Sequence, residues 1–215
     1  MMANLTPSER SAVERELTLQ NVNETGRANA AAQAEVDHLT EVWAHIKSAL
    51  SKKGLSDDVQ AQIDERGLVV SLVSRHVVFE PNLATLTARG RTILATVAPI
   101  LAGLTEPIEI DGHTNQVKVK PKYFPTDWEL STARAITALR FLNEQHHVPT
   151  GRLSATGFGH TKPLIDPKID GSQNLNKRVD VIVLSQAPAE TRARFNLVQN
   201  SLKPASSTSH TGATP

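Results

Sequence analysis

Cysteine is absent from these 215 residues, so neither a disulfide nor a thiolate nucleophile or metal ligand is available. A cysteine-free chain suits an oxidising extracytoplasmic space without requiring one. Charge of one sign is also lacking. The 23 Lys and Arg against 22 Asp and Glu leave a formal net charge of +1, which gives no field for gripping a polyanion and removes nucleic acid from the expected partners. No run approaches the roughly 18–20 apolar residues that a membrane helix needs. The longest apolar runs, Gly67 to Val73 and Thr92 to Leu101, have the length of a strand and of a core helix. The opening Met1-Met2-Ala3-Asn4 has no basic region and no apolar region, so it does not read as a signal peptide. His-Glu-x-x-His and Gly-x-Ser-x-Gly are missing as well. A metal site could be imagined only by gathering Asp111-Gly112-His113 with His76, His146, His147 or His160. The adjacent His146 and His147 sit near a helix end and point in different directions, which does not suit one ion. Neither catalysis nor a metal or cofactor is expected.

What is present is ordinary folded-domain material, 39% apolar and 21% charged, enough for one core with appendages. Residues 8–53 are alanine-rich with Gly26 as the one breaker, and Ala34, Val36, Leu39, Val42, Trp43, Ile46 and Leu50 recur at helical spacing. This predicts a long amphipathic helix, with Gly54 as its C-cap, packed either on its own domain or on a second copy. Val59, Ala61 and Ile63 alternate with polar residues before Arg66-Gly67 and a second apolar run, which predicts a hairpin. Ile93, Leu94, Val97, Ile100, Leu101 and Leu104 mark a helix that Pro99 should kink or end. Ile108-Glu109-Ile110 reads as a strand running into the Gly112 turn. A helix over 127–145 starts at a Thr126-x-x-Glu129 capping box, and strands follow at Leu153 to Phe158 and Val179 to Leu184. The order β-β-α-β-α-β-β predicts a mixed sheet with helices on one face. One short helix over 189–202 and disorder over 203–215 complete the chain.

At about 100° per residue, Ala135, Ile136, Leu139 and Leu142 fall about 80–200° from Arg134 and form the expected buried stripe. Arg134 then lies off it. Asp127 lies within about 20° of Arg134, roughly 10.5 Å earlier along the axis. The two are either a solvated face, with Asp127 favouring the helix N-terminal dipole, or a cation and an acid aligned for a ligand.

Three motifs in order carry a resemblance: Gly112-His113-Thr114-Asn115, then Leu130-Ser131-x-x-Arg134-Ala135, then Asn176-Lys177-Arg178. They resemble the OmpA-like peptidoglycan-binding domain, over roughly residues 55–185. Pro125-Thr126-Asp127-Trp128-Glu129-Leu130-Ser131, with Lys120-Pro121-Lys122-Tyr123 before it, is similar to the MotB-like stator subunits of flagellar motors. The resemblance implies an α+β, two-layer sandwich, its mixed sheet carrying helices on one face and preceded by the long amphipathic helix. It implies a helical connector over 1–54, the binding domain over 55–185 and a flexible tail over 186–215.

The function it implies is non-covalent anchoring of a stator to the cell wall, with a general envelope tether as the alternative and, behind it, a hydrolase acting on peptidoglycan. Arg134 would grip the carboxylate of a diaminopimelate residue bidentately. Asn115 stands where the family has an aspartate for the ammonium, and an amide supplies an oxygen but no charge. Asp127, Thr114, His113, Leu130 and Arg178 complete the implied site. Arg178 either touches ligand or braces its loop through Asp180 or Asp166, and His113 serves a structural hydrogen bond rather than a titration. The implied partners are a diaminopimelate-type stem peptide, a second copy of the chain and, through a membrane segment not in this sequence, a MotA-like subunit. The implied location is the extracytoplasmic side of the cytoplasmic membrane, as part of a single-pass membrane protein.

Overall fold

The structure, a computed structural model, describes residues 7–73, 78–116 and 123–202. The chain divides into two compact units: His38–Gln186, and the chain up to Asp37 together with the segment from Ala187.

The first unit is framed by a five-stranded mixed sheet. The expected hairpin joins β1 (Val59–Asp64) to β2 (Gly67–Val73), with Ala61 opposite Val70. β2 is buried at every position, which is why its sequence is continuously apolar around Ser71 rather than alternating. It pairs antiparallel with β5 (Arg178–Leu184), which pairs antiparallel with β3 (Ile108–Gly112), and β3 runs parallel to β4 (Leu153–Gly157). The order is β1-β2-β5-β3-β4.

The helix α2 (Ala88–Gly103) starts earlier than its apolar spacing suggests, because the Thr87 side chain caps it by accepting from the Gly90 N–H at 3.0 Å. Pro99 does not end it, and the helix continues to Gly103. The capping box at the start of α3 (Asp127–Arg140) forms as expected: Thr126 Oγ1 accepts from Trp128 N at 3.1 Å, and Thr126 N donates to Glu129 Oε2 at 3.0 Å. A π-type turn over Phe141–Gln145 extends α3. α3 packs tightly on β3 and β4. A Cβ on Gly112 would strike the Ser131 carbonyl oxygen, and one on Gly157 would strike Thr132.

The buried face of α3 differs from the expected stripe. Leu130, Ser131, Arg134, Ala135 and Ala138 are buried, whereas Ile136 is 44% exposed. Arg134 therefore lies inside the packed face, not away from it. Hydrophobicity alone misplaces the stripe, because two of its members are polar.

The long helix α1 (Pro7–Ser51) crosses from one unit into the other. In the sheet unit it buries Leu39, Val42, Ile46 and Leu50, with Trp43 half-buried. Gly54, at φ +66, stops it as expected: Gly54 N donates to Ser51 O and Leu55 N to Leu50 O, both at 3.0 Å. In the other unit Ala32 and Val36 are buried and Ala34 is exposed. Val13, Leu17, Leu19 and Val22 are 37–63% exposed, so the helix buries a stripe only from Ala32 onward. Two short helices, α5 (Ala189–Arg192) and α6 (Phe195–Leu202), stand where one was expected. Phe195 is fully buried, and Arg194 Nη1 donates to Asn29 Oδ1 of α1 at 2.7 Å.

Among the described residues no helix is long and apolar enough to cross a membrane. The disorder expected over 203–215, the Met1 to Asn4 start, His76 and the Lys120-Pro121-Lys122 stretch lie outside the described residues.

Candidate functional site

The three motifs converge at the end of the sheet where β3 and β4 finish and β5 begins. β3 delivers His113 and Thr114 past its last pair, Gly112 and Gly157. The His113 N–H donates to Arg178 O at 3.0 Å and the Thr114 N–H to Gly159 O at 2.8 Å, so the turn is held by both neighbouring strands' loops. The following loop is clasped to it. Gln116 N donates to Gln173 Oε1 at 3.0 Å and Gln116 Nε2 to His160 O at 3.0 Å. Asn176, the last residue of the short helix α4 (Ser172–Asn176), is fully buried and ties the loop back on itself through both the N–H and the carbonyl of Ile165, each at 2.9 Å. Asn176 is thus a brace.

Arg178 is a brace as well. Its Nε donates to both Oδ1 and Oδ2 of Asp180 at 3.1 Å, and its Nη1 reaches the carbonyls of Lys162 and Asn176 at 3.4 Å. Asp180, not Asp166, is its carboxylate. Burial works to raise the Asp180 pKa, but His113 and Arg178 outweigh it and hold the carboxyl below its usual range. His113 is 2% exposed and stacks on Phe158 with ring centres 5.4 Å apart. Its Nε2 lies 3.2 Å from Asp180 Oδ2. Burial, against the pull of Asp180, pushes the His113 pKa down, which keeps the ring neutral near pH 7.

Arg134 has a different environment. It is 5% exposed; its Nε donates to Leu83 O at 2.9 Å, and its guanidinium carbon lies 5.4 Å from the centre of the Phe79 ring. No carboxylate pairs with it among the described residues. The segments outside them contain no Asp or Glu at all. Burial alone pushes its pKa down to about 10. Lys177 is half-buried beside it, its pKa lowered by burial and by the Arg134 charge. Arg134, Lys177 and Arg178 line one small cleft with Leu72, Val78, Phe79 and Val179. A buried guanidinium that opens on a cleft with its charge unanswered is arranged to receive an anion.

The remaining predicted positions fall around this centre. Asn115 is half-buried, and its amide has no partner among the described residues. Thr114 is buried with its hydroxyl likewise unpartnered. Leu130 is buried in the face of α3 that carries Arg134. Asp127 does not meet Arg134; its Oδ2 lies 3.4 Å from His160 Nδ1. Three contributors escaped sequence reasoning. Phe79 and Leu83 come from the segment before α2, for which no element was predicted. Ser131 accepts from the Gly159 N–H at 2.9 Å and so fastens α3 to the rim loop.

The OmpA family profile matches residues 78–177, which contain Arg134, Lys177 and the Gly112 to Asn115 turn and stop just short of Arg178 and Asp180. Among curated proteins, the chain is 27% identical over 147 residues to Uncharacterized protein YtxE of Bacillus subtilis, covering 68% of this chain and 60% of that one. It is 25% identical over 163 residues to Motility protein B of the same organism, covering 75% of this chain and 62% of that one. The chain thus spans less than two thirds of either relative's length. Among solved structures, a MotB-like protein from Desulfovibrio vulgaris superposes with a TM-score of 0.63 at 24% identity, over 70% of this chain and 96% of that one. The two-layer mixed-sheet fold is shared with that structure, and the segment 78–177, which carries Arg134 and Lys177, matches the profile of the OmpA family.

Proposed function

We propose that this chain binds peptidoglycan non-covalently through the Arg134 cleft and serves as the wall anchor of a flagellar motor stator on the extracytoplasmic side of the membrane. One observation carries the reading: a guanidinium 95% withdrawn from solvent, facing a cleft, with no carboxylate to answer it among the described residues. Likeness to the OmpA family and to Motility protein B supports the wall-binding and motor parts. Arg134 grips the ligand carboxylate, and Thr114 and Asn115 offer polar groups at the rim. His113, Leu130 and Arg178 hold the rim in shape, and Asp127 sits at its edge. In this reading residues 1–54 connect the binding domain, 55–185, to a membrane segment that engages a MotA-like subunit. The stretch from 186 is an appendage. Two copies act together, which lets a polymeric wall be held twice. No bond is cut.

Co-sedimentation with purified sacculi tests this. The intact chain is expected in the pellet and Arg134→Ala in the supernatant, with no muropeptide release above a heat-treated control. Parent chain remaining in the supernatant across pH and salt would contradict it.

A further inference from the structure

We infer that the Arg134 cleft is a receptor for two carboxylates and does not read the ammonium of its ligand. The inference rests on the wall-binding reading and specifies the ligand chemistry of that same site.

The charges around the cleft do not cancel. Arg178 is answered by both oxygens of Asp180. Arg134 and Lys177 are answered by nothing among the described residues, and the Arg134 charge adds to the cost of burying Lys177. Among the described residues the remaining lining is apolar, from Leu72, Val78, Phe79 and Val179, so the two cations face a weakly screened space. A ligand end carrying one carboxylate and one ammonium brings no net charge into a cleft that presents two positive ones. Its ammonium meets repulsion from Arg134 and Lys177 and, at best, the uncharged amide oxygen of Asn115. The acids of α3's first turn are engaged elsewhere: Asp127 faces His160 and Glu129 closes the capping box with Thr126, roughly 10.5 and 7.5 Å along the helix from Arg134. A ligand with carboxylates on two neighbouring residues neutralises both cations. Arg134, planar and fixed by Leu83 O, takes one in a fork, and Lys177, on its flexible stem, takes the other.

The test uses the intact chain and calorimetry with the tetrapeptide L-Ala-γ-D-Glu-meso-diaminopimelyl-D-Ala, its N-terminus acetylated. Two derivatives accompany it, one acetylated on the diaminopimelyl amine and one amidated at the D-Glu carboxylate. Acetylating the amine is expected to change Kd by less than about threefold, and amidating the carboxylate to weaken binding about tenfold or more. Lys177→Gln should weaken the parent peptide by a similar factor and leave the amidated one little changed. Asn115→Asp supplies the missing acid and should make binding sensitive to amine acetylation. A tenfold loss on acetylating the amine in the parent protein, or no loss on amidating the D-Glu carboxylate, would overturn the two-carboxylate inference while leaving Arg134-dependent wall binding intact. Sacculus binding that is unaffected by Arg134→Ala would instead remove the site itself.

Discussion

Replacing Arg134 with methionine should separate stability from function. The substitution keeps most of the side-chain volume and removes the charge. In the parent, burial pushes this guanidinium down to about 10, a penalty on the charged form of about 3 kcal/mol. Two contacts offset it: the charge-assisted hydrogen bond to Leu83 O at 2.9 Å, worth about 1.5–3 kcal/mol, and the Phe79 face, worth about 0.5–1 kcal/mol. Gains and losses nearly cancel, so Arg134→Met should unfold in urea within about 1 kcal/mol of the parent, with an unchanged m-value. An arginine that holds a fold together through a buried ion pair behaves otherwise, costing about 3–5 kcal/mol when it is removed. Stem-peptide affinity should nevertheless fall roughly ten- to a hundred-fold. A destabilisation of about 3 kcal/mol or more with affinity preserved would show that Arg134 belongs to the fold and not to a ligand site.

Two further outcomes follow from the packing beneath the rim. Asp111 is 1% exposed and its carboxyl is raised from 3.8 to about 6, by burial first, with Glu109 adding to the rise against the 2.8 Å hydrogen bond from Arg66. The folded state thus holds this proton more tightly than the unfolded one, and the stability it contributes is full below 3.8 and lost as pH rises through about 6. Parent stability measured relative to Asp111→Asn should therefore fall by on the order of 2–3 kcal/mol between about pH 4 and pH 7, and a flat difference would contradict the burial argument. Gly112→Ala would drive a methyl into the Ser131 carbonyl and should cost at least about 1–3 kcal/mol in thermal or urea unfolding, with peptide binding weakened as α3 shifts.

Much of the frame was legible in the sequence because its signals are local. The alternation in β1, the capping box at Thr126 and Glu129, and the Gly54 stop depend on residues within a few positions of one another, and each formed as expected. The three motifs also met at one rim, as the resemblance implied. Elsewhere the determining contacts are distant. Arg134 and Ser131 are polar yet lie in the packed face of α3, because Leu83, Phe79 and the Gly159 N–H come from other parts of the chain to receive them. A hydrophobic stripe cannot register such residues, so it chose Ile136, which is exposed. The start of α2 was missed for a related reason: Thr87 caps the helix, but the first apolar members of its stripe, Ile93 and Leu94, come later. The single helix expected near the C-terminus divides at Ala193 and Arg194, just before the buried Phe195.

Titration calorimetry of a defined diaminopimelate-containing stem peptide against the parent and Arg134→Ala, at matched thermal stability, tests the central claim most directly. The expected result is a measurable Kd for the parent and a roughly ten- to a hundred-fold weaker one for Arg134→Ala, with Arg134→Lys recovering only part of the loss because an ammonium lacks the bidentate fork. Equal binding by the parent and Arg134→Ala would contradict it and place the ligand elsewhere on the molecule.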